Sequence, residues 1–372
     1  MIIKIDKDKL IDPLKNIVGV AEKKQTMPIL GNVLFRTLKG SQSLLLVASD
    51  LEVEVLASVA IGDEIELNIT VPAKKLLDIL KSLPGDEFVE MVFTESKVTI
   101  RSGKSKFVLA TLPGSDFPYS PTTTDGMIPI HAKKLDSIIN QTAFSMAIQD
   151  ARHFLNGLFM EITNHSITVV ATDGHRLAMS ATQLNTKLEE TKSCIIPRKC
   201  IVELRRILSS FSDSKENIAE VSIKDKEIIL NISNFTVKSR LIEGNYPDYK
   251  KVFPESLPHK LSTNKSDMKS ALQRMAILSN DQFKGVKLSL NTSEITLSTN
   301  NPSQEEGEDS IPCTYSGDPF DVGFNLTYLL EVIDVVSQDD LEIQLNNSDS
   351  GCLVSSDFDD LSNKYIIMPM RV

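Results

Sequence analysis

The chain lacks most of what an enzyme or a membrane protein needs. No apolar run approaches the roughly 18 residues of a membrane span. The first ten residues, MIIKIDKDKL, lack the basic-then-apolar layout of a secretory signal, so the expected compartment is the cytoplasm. Four cysteines (Cys194, Cys200, Cys313, Cys352) form no C-x-x-C pair, and histidine occurs only five times. That argues against a zinc site and for buried, inert thiols in a reducing compartment. There is no G-x-x-x-x-G-K-[ST] phosphate cradle, no helix-turn-helix or zinc finger, and no aromatic stacking motif to read bases.

What is present is ordinary in bulk and repetitive in detail. The 372 residues suffice for two or three domains. The net charge of −10 is the wrong sign for a protein that simply coats nucleic acid, but it is an average, and the distribution of charge matters more.

Three marks recur in fixed order. LGNVLF (30–35) is echoed by LNGLFMEI (155–162) and FKGVKLSL (283–290). LVASDLEVEV (46–55) is echoed by VVATDGHRLA (169–178) and TLSTNNPSQE (296–305). TVPAKKLLDIL (70–80) matches IIPRKCIVELRRIL (195–208) and, more loosely, VGFNLTYLLEVI (322–333). Asp50/Asp173, Pro72/Pro197 and Phe117/Tyr246 are offset by 123, 125 and 129 residues, and Asp173/Asn300 and Pro197/Asn325 by 127 and 128. The chain is therefore expected to hold three copies of one domain, at 1–125, 126–253 and 254–372. Turn formers place the seams in YSPTTTDG (119–126) and PESLPHKLSTN (254–264).

Each copy has a first amphipathic stretch (KDKLIDPLKNIVGV, HAKKLDSIINQTAF or NKSDMKSALQRMAIL) and a second after the Val/Ile-Pro mark. Pro72 and Pro197 suit a first helical turn, and Pro13 suggests that the first helix starts late or bends. Alternating runs such as KVTIRSGKSKFVLATL and EIELNITV read as strands. The expected class is α+β with antiparallel sheets and two helices per copy, because the strands are not separated one by one by helices.

Five of the six helical stretches carry clustered cations: Lys9 and Lys15; Lys74, Lys75 and Lys81; Lys133 and Lys134; Arg198, Lys199, Arg205 and Arg206; Lys265, Lys269 and Arg274. One such helix is an ordinary solubilising face; recurrence argues for a shared surface that tracks a phosphate backbone. The ends of the chain also differ in sign. Lys97, Arg101, Lys104 and Lys106 flank an apolar strand in the first copy, whereas the third has QEEGEDS (304–310), a solvated loop or a complementary patch. Opposite ends invite head-to-tail association, which closes into a ring if the rotation closes.

ATDGHRLA (171–178) packs Asp173, His175 and Arg176 together like the start of a hydrolytic or metal site. The remaining histidines (His131, His153, His165, His259) stand in no ligand motif, and the acidic or amide position recurs as Asp50, Asp173 and Asn300. Asp173 is thus read as a turn residue that the fold wants. Gly174, His175 and Arg176 belong to the second copy alone and are the candidates for function.

Taken in order, PILGNVLF, ASDLEVEV, RSGKSKF, TLPGSDFP, FLNGLF, ATDGHRLA, VPAKKLLDIL, IPRK, NYPDYKKVFP, AILSN, FNLTYLLEV and YIIMPMRV resemble the bacterial DNA polymerase III beta subunit family, the sliding clamps, from Met1 to Val372. The resemblance implies a homodimeric ring of six similar domains, helices toward a central hole, sheets outside, and duplex DNA threaded through without sequence preference. It implies a processivity factor without catalysis or cofactor. Its partners would be the replicative polymerase's catalytic subunit, an ATP-dependent clamp loader, and other polymerases and repair proteins carrying a clamp-binding peptide. A peptide-binding scaffold that does not encircle DNA is the alternative, and it leaves the basic helices unexplained.

By the same resemblance the partner peptide enters a cleft between the second and third domains. The matching positions are Leu155, Thr172, Gly174, His175, Arg176, Leu177, Pro247, Lys251 and Val252. From the third domain come Asn325, Tyr328, Ile366, Met368, Pro369, Met370, Arg371 and Val372. Methionine and proline beside aliphatic residues make an adaptable groove, and Arg176 and the terminal MPMR add orienting polar groups. Taken alone, MPMRV also reads as a frayed tail or a last buried strand. Family DNA contacts map onto Lys24, Lys74, Gln149, Arg152, His153, Phe154, Arg198 and Lys199. The dimer seam maps onto Lys104, Lys106, Phe107 and Leu109 against Ile277, Leu278, Glu305 and Glu306. His153-Phe154 stands where the family has a tyrosine pair, several family arginines are lysines here, and the chain ends in valine rather than leucine.

Overall fold

A computed structural model describes every residue except 22–26, 38–39, 63, 85–87, 122, 124, 212–216, 255–256, 281–282 and 372. Lys24 and Val372 therefore lie outside the described residues.

The first copy runs β1 (Ile2–Asp6), α1 (Lys7–Ile17), β2 (Asn32–Thr37), β3 (Ser43–Ser49) and β4 (Val53–Ala60). It continues with β5 (Asn68–Pro72), α2 (Ala73–Ser82), β6 (Phe88–Phe93), β7 (Lys97–Ser102), β8 (Ser105–Ala110) and a two-residue β9 (Leu112–Pro113). The second runs β10 (Ile128–His131), α3 (Ala132–Asn140), β11 (Gly157–Ile162), β12 (Ser166–Thr172) and β13 (Arg176–Gln183). It continues with β14 (Lys192–Pro197), α4 (Arg198–Ser209), β15 (Ile218–Ile223), β16 (Glu227–Ile232) and β17 (Phe235–Arg240). The third runs β18 (His259–Asn264), α5 (Lys265–Ala276), β19 (Gly285–Leu290), β20 (Glu294–Asn300), β21 (Glu306–Pro312) and a two-residue β22 (Thr314–Tyr315). It ends with β23 (Phe320–Asn325), α6 (Leu326–Val335), β24 (Asp340–Leu345), β25 (Cys352–Ser355) and β26 (Leu361–Ile367).

The repeat is thus deeper than the sequence marks suggest: each copy is two successive β-α-β-β-β units. Each unit lends its leading strand to the other unit's three-stranded meander, giving six four-stranded blocks, all antiparallel. Pairing of β17 with β4 fuses two blocks, and pairing of β13 with β26 fuses two more. With β9 added beside β5 in one and β22 beside β18 in the other, the result is two nine-stranded and two four-stranded sheets. Two compact units follow: Met1–Asp136 with Lys199–Leu241, and Ser137–Arg198 with Ile242–Val372. Each join of one copy to the next lies inside one unit.

The amphipathic helices place their apolar stripes on these sheets. Leu10, Ile11, Leu14 and Ile17 of α1 are buried, as are Met268, Ala271, Leu272 and Met275 of α5. Three sequence expectations need correction. The first helix starts at Lys7, capped by Asp6, and keeps Pro13 buried within it. Pro72 and Pro197 close the preceding strands, one residue before the helices start, where their fixed φ and missing N–H end the ladder. QEEGEDS is largely strand, because β21 starts at Glu306.

The join of β4 to β17 sets Glu54 opposite Lys238 in a buried position. Glu54 Oε1 has no hydrogen-bond partner, and desolvation raises its pKa to about 7, opposed by Lys238 and helped by Glu227. A folded pKa above the unfolded one means that the native state holds the proton more tightly. Stability is therefore full below about pH 4.5 and falls as pH rises to about 7, by about 2 to 3 kcal/mol. Glu54→Gln should remove this slope: urea midpoints of variant and parent should converge at pH 4.5 and separate by pH 7.5, the variant being the more stable.

Candidate peptide cleft and charged surfaces

The candidate cleft residues lie in the second unit. Antiparallel register aligns them in two rows across one sheet face. One row is Thr172, Leu177, Ile366 and Leu353; the next is Phe159, Val170, Met179 and Lys364. Alternate residues of a strand share a face, so Leu177 and Met179 stand side by side. Over them lies the 246–253 segment, whose Tyr249 is buried with Val170, Leu177 and Ile366. Tyr246 stacks on Phe159 with ring centroids 4.9 Å apart and donates to the Val170 carbonyl at 3.3 Å. Val252, Phe253 and Leu353 border the cluster. The residues sequence reasoning missed are Phe159, Val170, Met179, Tyr246, Tyr249, Phe253 and Leu353. The period-2 pattern of β13 and the aromatics of NYPDY were the signals that could have found them.

The rim is set by the turn between β12 and β13. Asp173 Oδ1 accepts from the His175 and Arg176 amides at 2.9 and 3.0 Å, and Thr172 Oγ1 accepts from the Gly174 amide at 3.1 Å. In the first copy Asp50 Oδ1 does the same for the Glu52 and Val53 amides, at 2.9 and 2.7 Å. In the third, the acceptor is Asn301, for Ser303 and Glu305, not Asn300, because that hairpin is longer and Asn300 is still in strand. Gly174 has φ +90°, and a Cβ there would come within 3.1 Å of Arg152. Gly174 and His175 are exposed.

Arg176 faces inward, not toward a ligand. It is 8% exposed and donates from Nε to Asp173 at 3.2 Å and from Nη2 to the Phe144 carbonyl at 2.7 Å. It also pairs with Glu331 of α6, and its guanidinium lies over Tyr328 at 4.3 Å and Phe144 at 5.3 Å. Arg176 thereby holds Tyr328 at the rim. Asn325 caps α6 through the Thr327 and Tyr328 amides at 2.9 and 3.3 Å. Pro247 and Lys251 are exposed, Lys251 being paired with Asp248 at 3.1 Å, and Leu155 is buried.

The terminal segment is tied down. The Met368 amide donates to the His175 carbonyl and the Met370 amide to the Gly323 carbonyl, both at 2.9 Å. Pro369 and Met370 are half-buried, and Met368 and Arg371 are exposed. Removing residues 368–372 should therefore abolish binding of partner peptides, read by fluorescence polarisation. The β26 ladder through Ile367 and the mass in solution should be unchanged.

The DNA candidates fall in different settings. Lys74 is exposed on α2. Lys199 is paired with Asp50, and Arg198 donates to the Met146 carbonyl at 3.1 Å. Gln149, Arg152, His153 and Phe154 share one loop, the first three exposed. Arg152 grips Asp150 through two bonds of 3.0 and 2.9 Å, which hold that carboxyl far below its usual pKa. Arg152 also reaches the Asp173 carbonyl at 3.3 Å, so this loop abuts the cleft rim.

The seam candidates lie on two edge strands. In β8, Lys106 is exposed and Phe107 and Leu109 are half-buried; Lys104 is exposed in the turn before it. On the other edge, Glu305 and Glu306 are exposed at the start of β21. At the end of α5, Ile277 is 79% exposed, and Leu278 lies 3.5 Å from where a Cβ of Gly307 would be.

Residues 1–121, 129–248 and 250–371 match, in order, the N-terminal, central and C-terminal domains of the DNA polymerase III beta subunit. The chain belongs to the DNA polymerase III beta subunit family. It is 37% identical to the beta sliding clamp of Pseudomonas aeruginosa and 35% identical to that of Escherichia coli K12, over 99% of both chains in each case. The crystal structure of the DNA polymerase III subunit beta from P. aeruginosa covers all of both chains with a TM-score of 0.93 and 36% identity. A Bartonella birtlesii sliding clamp bound to griselimycin matches over the same span with a TM-score of 0.94 and 32% identity. The fold is thus three tandem clamp domains of α+β type.

Proposed function

We propose that this chain is a DNA polymerase processivity factor: a sliding clamp whose three copies, 1–125, 126–253 and 254–372, form half of a closed ring around duplex DNA. It needs no cofactor and carries out no bond-making chemistry. Its partners are a second copy of itself, the replicative polymerase, an ATP-dependent loader, and other polymerases and repair proteins bearing a clamp-binding peptide. Work on chromosomal DNA in a bacterial cell places it in the cytoplasm.

One observation carries the ring. The last strand of a first unit pairs with the last strand of the next copy's second unit twice, as β4 with β17 and as β13 with β26. By that rule β21 seeks a strand like β8, and both are edges of their sheets. One chain thus offers one donor edge and one acceptor edge, the condition for head-to-tail closure. The internal joins also give the register. Glu54 and Leu177 each lie opposite the residue before the turn acceptor (Ser49, Thr172) and pair across the join with Lys238 and Ile366. Glu306 holds that place in the third copy, opposite Asn300, and Val108 holds the place of Lys238, opposite Thr99. Glu306 therefore faces Val108 of the neighbouring chain, and Glu308 faces its Lys106. Phe107 then falls over Gly307, whose missing side chain opens the way to Leu278 and Met275 beneath.

Six apolar residues on two rows, with a backbone-tied Met-Pro-Met tail, suit an extended apolar peptide as the tether to polymerases. Exposed cations on α1 to α5 suit sequence-independent phosphate contact. The test is topological. A loader should place the protein on nicked circular plasmid, and linearising the plasmid should release it. Equal retention on linear and circular DNA would sink the encircling mechanism and favour the peptide scaffold.

A further inference from the structure

The joins between copies share a second device besides the ladder. Asp78, Glu203 and Glu331 occupy one and the same position of α2, α4 and α6, six residues after Pro72, Pro197 and Asn325. At the first join Glu203, 5% exposed, pairs with Arg206, whose Nη2 also donates to the Asn16 carbonyl at the carboxyl end of α1. The fit is close: a Cβ on Gly19, just beyond α1, would run into that guanidinium. At the second join Glu331 pairs with Arg176, whose Nη2 donates to the Phe144 carbonyl just beyond α3. Both joins therefore set a carboxylate-backed arginine beside the carboxyl end of a copy's first helix, on its last turn at Asn16 and on the 3-10 turn that follows it at Phe144. At Asn16 a cation is favoured because the last carbonyls of a helix lack intrahelical donors and that end of the helix dipole is negative. The arginine comes from α4 in one join and from β13 in the other, so position and not ancestry defines the device.

The third join would lie between two chains. There the carboxylate is Asp78, exposed on α2, and the place of Arg206 is taken by Lys81, also exposed. The residue matching Arg176 is Glu305, which cannot serve. The receiving end is that of α5, where Ile277 holds the place of Gly19 and Phe144 and is 79% exposed. We propose that Lys81, backed by Asp78, closes the seam between two copies by seating its ammonium on the carboxyl end of α5 in the neighbouring chain. A lysine offers one compact, strongly hydrated charge where arginine offers a planar fork able to bond a carboxylate and a carbonyl together. By this device the seam between chains is the weakest of the three joins. This inference rests on the head-to-tail reading above.

The experiment is the dimer dissociation constant of the full chain, by sedimentation or mass photometry across a dilution series, with thermal midpoint as control. Lys81→Ala should weaken the dimer about tenfold, two seams being lost per ring, and Lys81→Arg should tighten it several-fold. Asp78→Asn should weaken it less than Lys81→Ala. Thermal midpoints of the dissociated chains should agree, because both residues are exposed. A dimer indifferent to residue 81 overturns this proposal alone; a parent chain that is monomeric at micromolar concentration overturns the ring reading with it.

Discussion

Arg176→Met should cost about 3 kcal/mol of stability and, separately, most of the peptide affinity. The guanidinium serves three acceptors on three elements: Asp173 in the β12–β13 turn, the Phe144 carbonyl beyond α3, and Glu331 on α6. Methionine fills the volume but leaves two carboxylates beside each other without their cation, and such loss of one partner in a buried network costs about 3 to 5 kcal/mol. Glu331 is partly exposed and can turn to water, which puts the figure at the low end. Tyr328 loses the plane on which it rests at 4.3 Å, so the rim of the cleft loosens as well. Urea unfolding gives the first quantity and fluorescence polarisation of a clamp-binding peptide the second. If stability falls and peptide affinity does not, Arg176 holds the join and not the cleft. The double variant Arg176→Met, Glu331→Met should recover part of the stability, since an apolar pair leaves less charge stranded.

Reversing one charge on an edge strand should separate the chains, and reversing its counterpart should rejoin them. With Lys106 facing Glu308, Lys106→Glu sets three acidic residues (positions 106, 306 and 308) on one face of the new ladder. Like charges so placed cost about 2 kcal/mol per seam. A two-chain ring has two identical seams, so the cost doubles to about 4 kcal/mol, near a thousandfold in dissociation constant. Glu308→Lys alone should weaken the dimer less, because Glu305 and Glu306 remain to attract the partner's cations. The pair together should restore most of the parent affinity. Mass photometry at nanomolar concentration reads all four proteins. Failure of the double variant to recover would refute the register, while a dimer unmoved by either single change would refute the choice of edges.

Much of the candidate site is legible in the sequence by comparing its own copies. Asp50 and Asp173 recur because the turn needs a side-chain acceptor for two successive amides, and both side chains provide it. The third copy misled by one residue, since Asn300 and Asn301 are chemically alike and only the ladder tells strand from turn. Arg176 was legible as special to the second copy but not as buried. Its main partner, Glu331, is 155 residues away, and no local pattern reveals that pairing. Lys199 was likewise readable as a helix cation on a basic face, whereas its bond to Asp50 depends on how two copies meet.

The sequence by itself determined the threefold repeat, the six amphipathic helices, the alternating strands and the opposite charge of the two ends. All of these follow from short-range rules: periods of 3.6 and 2, turn chemistry and composition. Only the tertiary structure decided that each copy is two interlocked β-α-β-β-β units, that β4 meets β17 and β13 meets β26, and that β8 and β21 are left as edges. The physical reason is that an antiparallel ladder satisfies backbone groups wherever two edges fit in register. The residues that share a row, such as Leu177, Ile366 and Leu353, are therefore chosen by closure over long stretches of chain and not by their neighbours in sequence.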